Sequence, residues 1–303
     1  MRYEQTGAVV LITIDRPAQM NAINTEVRTG LHAAFTRFEA EASARVAILT
    51  GAGDKAFCAG MDLKEAAATS LAVPPKGFLP IIGQGLDVTK PTIAAVNGVA
   101  YAGGWMFAQM CDLCVAAEHA TFGITEARVG RGMPWAAPLV TMVQQRALME
   151  LLLTAEPISA ARAREIGFVN HVVPAAELLP KCFAMAEKIA ANAPLTVRAA
   201  RELVYLSTEM GRSAAQRAAT HLFESVYLSD ENNEDKRRVG ELIPRLFDWY
   251  CEHPHELPGI PGAEERGDDL AQRVTDWIAG MTDRYCLRVL RERFMPGEWK
   301  FQR

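Results

Sequence analysis

Two short turns carry the residue types and spacing that could do chemistry. The first is Ala56-Phe57-Cys58-Ala59-Gly60-Met61-Asp62-Leu63; the second is Asn97-Gly98-Val99-Ala100-Tyr101-Ala102-Gly103-Gly104. Each follows an apolar run, Val46 to Thr50 or Thr92 to Val96, and precedes a helix-like stretch. Small residues at such turns let a ligand approach the backbone closely. Set side by side, two of them can aim two peptide N–H groups at one oxygen, the construction that stabilises charge developing on a carbonyl. One glycine-rich turn is commonplace, whereas two in this order with these neighbours are a much stronger signal. Other chemistries find less support. No serine stands in a nucleophile-elbow pattern, and His32, His119, His171, His221, His253 and His255 show no metal-ligand spacing.

Such turns need elements to position them. Val9–Ile14, Val46–Thr50, Thr92–Val96 and Leu113–Ala117 read as strands, with Ala120–Ile124 a shorter one. Thr25–Glu41 and Gly103–Met110 read as helices, and Asn24 and Asp62 stand where helix caps belong. Beyond Ile158 the pattern is mostly helical: Ser159-Ala160 opens Ala161–Ile166, Gly167 stops it, and Val169–Val173 returns as a strand ended by Pro174. Alternation of this sort predicts an α/β domain.

Half of the 303 residues are apolar, enough for a large core in one domain or two. A net charge of −4 gives no general attraction to nucleic acid or to an anionic membrane, and neither is expected as a partner. The longest apolar runs are strand length, well short of a membrane span. The N-terminus carries Arg2 and Glu4 and no signal-peptide apolar segment. Six cysteines follow no disulfide-framework spacing, and Cys111-x-x-Cys114 lies partly in an apolar strand-like run. Reduced, buried thiols are expected, which points to the cytoplasm.

The run Asp15-Arg16-Pro17-Ala18-Gln19-Met20-Asn21-Ala22-Ile23, the two glycine turns, Cys111-Asp112 and Phe122-Gly123-Ile124-Thr125-Glu126 together resemble the crotonase family, the enoyl-CoA hydratases and isomerases. Leu151-Leu152-Leu153-Thr154, Ala163 to Asn170 and Asn192-Ala193-Pro194 continue the likeness, which fades near Ser229-Asp230-Glu231. The resemblance implies a crotonase-type spiral of ββα units over 1–192, a C-terminal helical region over 193–235, and assembly as a homotrimer or dimer of trimers. It implies an acyl-CoA substrate, with coenzyme A as part of that substrate and no separate cofactor or metal.

By the same resemblance, the backbone N–H groups of Met61 and Gly103 receive the thioester oxygen as the enolate forms, and Gly104 opens the helix beside them. Hydratases of the family use two glutamates. The second is present as Glu126; the first position is Met106, which cannot hold or activate water. Family isomerases work with one carboxylate, so the resemblance implies isomerisation or hydration of an enoyl-CoA with Glu126 as acid/base. Thioester hydrolysis, decarboxylation and a non-catalytic scaffold remain open alternatives. Lys55 and Lys64 match positions near the CoA phosphates and adenine, although both also fit solvated loop charges. Ala59 matches a backbone position that meets the adenine. Ala18 and Met20 fall where the family lines the pantetheine arm, Ala18 in place of a frequent lysine. Trp105 and Trp135 suit either the acyl pocket or core packing.

The segment 236–303 does not fit the crotonase pattern. Val239, Leu242, Ile243, Leu246, Phe247 and Tyr250 recur at helical spacing, and Leu270, Val274, Trp277, Ile278, Met281 and Tyr285 do so again. Tyr250-Cys251-Glu252-His253-Pro254 with Asp276 to Tyr285 is similar to the C-terminal helices of HD-type deoxyguanosine triphosphate triphosphohydrolases. Those enzymes need histidine and aspartate ligands upstream, and this chain contains no His-Asp pair. An appended helical tail without catalysis of its own is expected. Its stripes, with Leu246, Phe247, Trp277 and Met281 buried, would cover the crotonase body or an oligomer interface.

Overall fold

The computed structural model describes residues 1–68, 75, 77–229, 243–257 and 269–279. The chain divides into two compact units, Met1–Leu222 and Phe223–Arg303. In the first, the strands are β1 (Arg2–Thr6), β2 (Val9–Ile14), β3 (Val46–Gly51), β4 (Ala56–Cys58) and β5 (Thr92–Val96). They continue as β6 (Val99–Tyr101), β7 (Leu113–Ala117), β8 (Thr121–Gly123), β9 (Ile158–Ser159) and β10 (His171–Val173). A six-stranded sheet runs β1-β2-β3-β5-β7-β10, and a four-stranded one runs β4-β6-β8-β9.

The apolar runs fall on the large sheet because its central strands are covered on both faces. Every residue of β3 and β5 is buried, as parallel strands between two layers require. From β2 onward this sheet is parallel. β1 pairs antiparallel with β2 at its edge. From β3 to β8, each repeat gives one strand to the large sheet, the next to the small sheet, then a helical segment. This is the expected ββα spiral.

The helices are α1 (Thr25–Ala40), α2 (Leu63–Ala68), α3 (Gly103–Gln109), α4 (Leu139–Met142), α5 (Gln145–Thr154) and α6 (Ala160–Glu165). α7 (Leu178–Ala190), α8 (Pro194–Glu209) and α9 (Arg212–Tyr227) complete the series, the last crossing the division between units. α1 forms because Asn24 accepts from the Val27 N–H at 3.0 Å, while Val27, Leu31, Ala34, Phe35 and Phe38 make one buried stripe. Its last turn is closed by buried Lys90, whose Nζ donates to the carbonyls of Phe38 (2.8 Å) and Glu41 (2.7 Å). α8 is tied to the sheet through Asp112. Its Oδ1 accepts from Arg201 Nε and Tyr205 Oη, both at 2.7 Å, and its Oδ2 accepts from Thr92 N–H at 2.8 Å.

Two predicted strands are shorter than expected. Ala120–Ile124 contracts to β8. In Val169–Val173 only the last three residues pair, because the Phe168 and Val169 N–H groups turn back to the Ala163 carbonyl and close α6.

The second unit contains a helix over 243–252, α10, and α11 (Leu270–Ala279). Leu246, Tyr250, Leu257 and Val274 form a small core there, with Phe247, Trp249 and Trp277 packed against it. Leu246, Phe247 and Tyr250 of one predicted stripe thus meet Leu270, Val274, Trp277 and Ile278 of the other, while Ile243 is exposed. Val239, Leu242, Met281 and Tyr285 lie outside the described residues.

Candidate active site

β4, β6 and β8 run parallel, with Cys58 opposite Ala100 and Tyr101 opposite Gly123. Their C-terminal ends therefore lie side by side, where α/β sheets present ligand sites. Just past those ends come Gly60-Met61, Ala102-Gly103 and Glu126, one set from each strand.

The first turn is pinned at Met61 by backbone hydrogen bonds. Ile23 N–H donates to the Gly60 carbonyl at 2.8 Å, and Asp62 N–H donates to the Ile23 carbonyl at 3.0 Å. This is a parallel bridge between Ile23 and Met61. Such a bridge uses the groups flanking Met61, so Met61's own N–H faces away from Ile23. Gly103 is the first residue of α3, where an N–H has no acceptor within the helix. Before it, Ala102 holds φ 51° and ψ −119°, an unusual conformation for a residue with a Cβ, while its N–H donates to the Gly123 carbonyl at 2.8 Å. The two turns touch: a Cβ at Gly60 (φ +95°) would lie 3.1 Å from Ala102 Cβ and 3.6 Å from Gly103 N. At Gly104 a Cβ would run into the Cys58 carbonyl, so only glycine lets α3 pack against β4. Burial pushes the Cys58 thiol up to about 12. Met61 is half-buried, its side chain against the core.

Glu126 opens a short 3-10 turn and is 9% exposed. Its Oε1 accepts from Trp135 Nε1 at 2.9 Å; its Oε2 is buried without a hydrogen-bond partner among the described residues. Burial pushes the carboxyl pKa above the ordinary range, while hydrogen bonds from backbone amides and the Trp135 indole pull it back in part. Arg128 turns instead to Glu156, at 2.8 Å. Trp135 is half-buried, and its carbonyl accepts from Gln109 Nε2 at 2.9 Å. Met106 is fully buried in α3. Trp105 belongs to the core, edge-on to Phe122 and tilted against Phe168 at ring-centroid distances of 5.4 and 5.1 Å. Of the two tryptophans, Trp135 alone meets the carboxyl. The contact spans residues nine apart across a bend, a separation that no local sequence rule reads, and Gln109 carried no signal at all.

The other candidate residues gather on neighbouring turns. Ala18 is exposed on the turn Pro17–Gln19. Met20, in a left-handed conformation (φ 52°), accepts from the Ala59 N–H at 3.0 Å. Buried Asn21 stitches the same turn to the next, donating to the Ala52 and Ala56 carbonyls at 3.0 and 2.7 Å. Lys55 is exposed on that second turn. Lys64 is exposed on α2, where Asp62 Oδ1 caps the helix from the Lys64 and Glu65 N–H groups at 3.1 and 3.3 Å. Asp62 Oδ2 also pairs with Arg16 at 3.1 Å, so the residue is both cap and ion-pair partner. Cys111 and Cys114 are buried, with both thiols pushed up by burial. Among the described residues no group of three or more His, Cys, Asp or Glu could hold a metal ion, and no helix is long and apolar enough to cross a membrane.

A family model described as enoyl-CoA hydratase/isomerase matches residues 4–241. The chain belongs to that family. It is 37% identical over 250 residues to enoyl-CoA hydratase EchA19 of Mycobacterium tuberculosis, covering 78% of this chain and 92% of that protein. It is also 37% identical over 216 residues to (E)-benzylidenesuccinyl-CoA hydratase of Thauera aromatica, covering 68% and 82%. The crystal structure of an enoyl-CoA hydratase from Mycobacterium tuberculosis superposes with a TM-score of 0.71 at 36% identity, covering 79% of this chain and 95% of that one. A second match, over residues 204–292, is to a phosphohydrolase-associated domain. This agrees with the helical likeness read from the tail.

Proposed function

We propose that this enoyl-CoA hydratase/isomerase family enzyme moves a double bond in an enoyl-CoA with one carboxyl group, and that hydration is its weaker activity. The thioester oxygen sits against the N–H groups of Met61 and Gly103, which stabilise the enolate more than the ground state. Glu126, ionised, takes a proton from the carbon next to the thioester of a 3-enoyl-CoA. It returns that proton two carbons further along, and the double bond moves into conjugation. A carboxyl whose pKa burial has raised suits both halves of this shuttle. The single observation that carries the reading is the pairing of buried Glu126 with buried Met106: the second carboxylate that would activate water is replaced by a thioether. Ala18, Met20, Lys55, Ala59 and Lys64 would line the CoA path, and Gly104 would let α3 close on it. The exposed apolar residues Val129, Val140, Met149 and Leu153 would serve a homotrimer or dimer of trimers. The buried, protonated thiols suit the reducing cytoplasm.

The test is to assay crotonyl-CoA and a 3-enoyl-CoA side by side, following the conjugated thioester chromophore. Faster formation of the conjugated product than its hydration is expected, and Met106→Glu should raise hydration relative to isomerisation. Efficient hydration of crotonyl-CoA with the 3-enoyl-CoA inert would overturn the single-carboxyl reading. Turnover of neither substrate above a Glu126→Gln control would favour a non-catalytic scaffold.

A further inference from the structure

A carboxyl that shuttles a proton has two equivalent oxygens until something distinguishes them. In Glu126 the surroundings do so: Oε1 is held by the Trp135 indole at 2.9 Å, and Oε2 is buried with no hydrogen-bond partner among the described residues. The main chain that carries the indole is itself anchored, because the Trp135 carbonyl accepts from Gln109 Nε2 at 2.9 Å. Gln109 is buried on α3, the helix whose first residue is Gly103 and which also carries Met106. Two hydrogen bonds therefore connect the oxyanion helix to the proton carrier.

We propose that Trp135 is a positioning residue: with its main chain held by Gln109, its indole N–H fixes Oε1 of Glu126 and leaves Oε2 as the oxygen that carries the proton. This rests on the acid/base role proposed above for Glu126. An indole is suited to the task because it donates only, and so cannot take up the proton it helps to place. The bond also opposes burial, since a donor favours the ionised carboxylate that burial disfavours. Few charges compete with it. On Glu126's own segment, Arg128 is engaged by Glu156 and both Arg128 and Arg131 are exposed. The facing α5 carries Arg146 and Glu150, also exposed, and α3 carries no charged residue.

The test uses the full chain and Trp135→Phe, which keeps the ring and removes the N–H. With 3-enoyl-CoA, kcat should fall roughly 10-fold or more while KM stays within about 2-fold, the signature of lost positioning. The acid limb of the kcat profile should move to higher pH by on the order of one pH unit, because the ionised base has lost a donor. Trp135→His, which restores an N–H donor, should recover part of the loss. In the wild-type chain, the 15N-labelled Trp135 indole resonance should titrate with pH, and Glu126→Gln should abolish that titration. Wild-type kcat and pH profile in Trp135→Phe, beside an inactive Glu126→Gln, would overturn the positioning role and leave the acid/base reading standing. An active Glu126→Gln would overturn the acid/base reading instead, and the oxygen assignment with it. An indole resonance indifferent to pH in the wild type would overturn the brace itself, whether or not any variant folds.

Discussion

The paired glycine turns and the Glu126 turn lie at the same end of the small sheet but are held in place by different means. Around Met61 and Gly103 the fixing contacts are mostly backbone to backbone, Ile23 to Gly60, Asp62 to Ile23 and Ala102 to Gly123, with the Arg16–Asp62 ion pair beside them. Glycines complete the fit where a Cβ would strike neighbouring main chain. Glu126 is set on a short 3-10 turn beside exposed Arg128, Val129 and Gly130, and its carboxyl meets the backbone amides of its own turn and the indole of Trp135, whose main chain is held by Gln109. The donors are thus a property of the fold, indifferent to the side chain at Met61. The carboxyl is a property of a few side chains, and it can be retuned without disturbing the sheet.

Three measurements can break or sharpen that contrast. The largest effect is expected at the carboxyl. Glu126→Gln should lower kcat by roughly 100-fold or more while acyl-CoA still binds, as loss of a general acid/base does. Activity within a few-fold of wild type would move the proton chemistry elsewhere. Next comes the rigid side of the comparison. Gly104→Ala should destabilise the protein by about 1–3 kcal/mol or more, because the added methyl meets the Cys58 carbonyl and not a side chain able to rotate away. Met61→Leu should stay within about 1.5 kcal/mol, as volume-conserving changes do. Denaturant unfolding of both variants compares them directly, and a harmless Gly104→Ala would show that the turn is not fixed as described.

This division also explains what could be read from the sequence. β2, β3, β5 and β7 were legible because buried parallel strands are continuous apolar runs, and α1 because its stripe and its Asn24 cap are local. β1 was not legible: Arg2-Tyr3-Glu4-Gln5-Thr6 is an edge strand, mostly exposed, and its pattern is not apolar. The glycine turns were legible as small residues between a strand and a helix. Glu126 was located only through the family resemblance, since nothing in its immediate neighbours marks a buried carboxylate. Its bond to Trp135 depends on how the chain bends through Met133-Pro134. The two readings of Trp105 and Trp135 stayed open for the same reason: which way a ring faces depends on its tertiary neighbours. Trp105 is enclosed in the core, whereas Trp135 packs at the edge of the core with its indole N–H on the carboxyl.

The smallest effect, and the most specific, is a pH dependence of stability. In the unfolded chain Glu126 titrates near the ordinary value of 4.5; in the folded chain burial raises that value. Below the unfolded value both states keep the proton, and the buried carboxyl imposes no ionisation penalty. As pH rises past it, the unfolded chain gives up its proton more readily than the native one, so ionisation favours unfolding. The penalty grows until pH exceeds the folded pKa and is constant beyond. Glutamine never ionises and can still accept from the Trp135 indole, so Glu126→Gln removes the penalty and keeps that bond. The difference in Tm, Glu126→Gln minus wild type, should therefore become more positive from about pH 4 to about pH 8. A variant that loses catalysis would then gain stability at neutral pH, as expected where a functional group is held in an unfavourable setting. Gly104→Ala perturbs no titrating group directly, and its loss of stability should be the same across that range. A Tm difference for Glu126→Gln that is flat or falling with pH would mean that burial does not hold this carboxyl above its ordinary pKa.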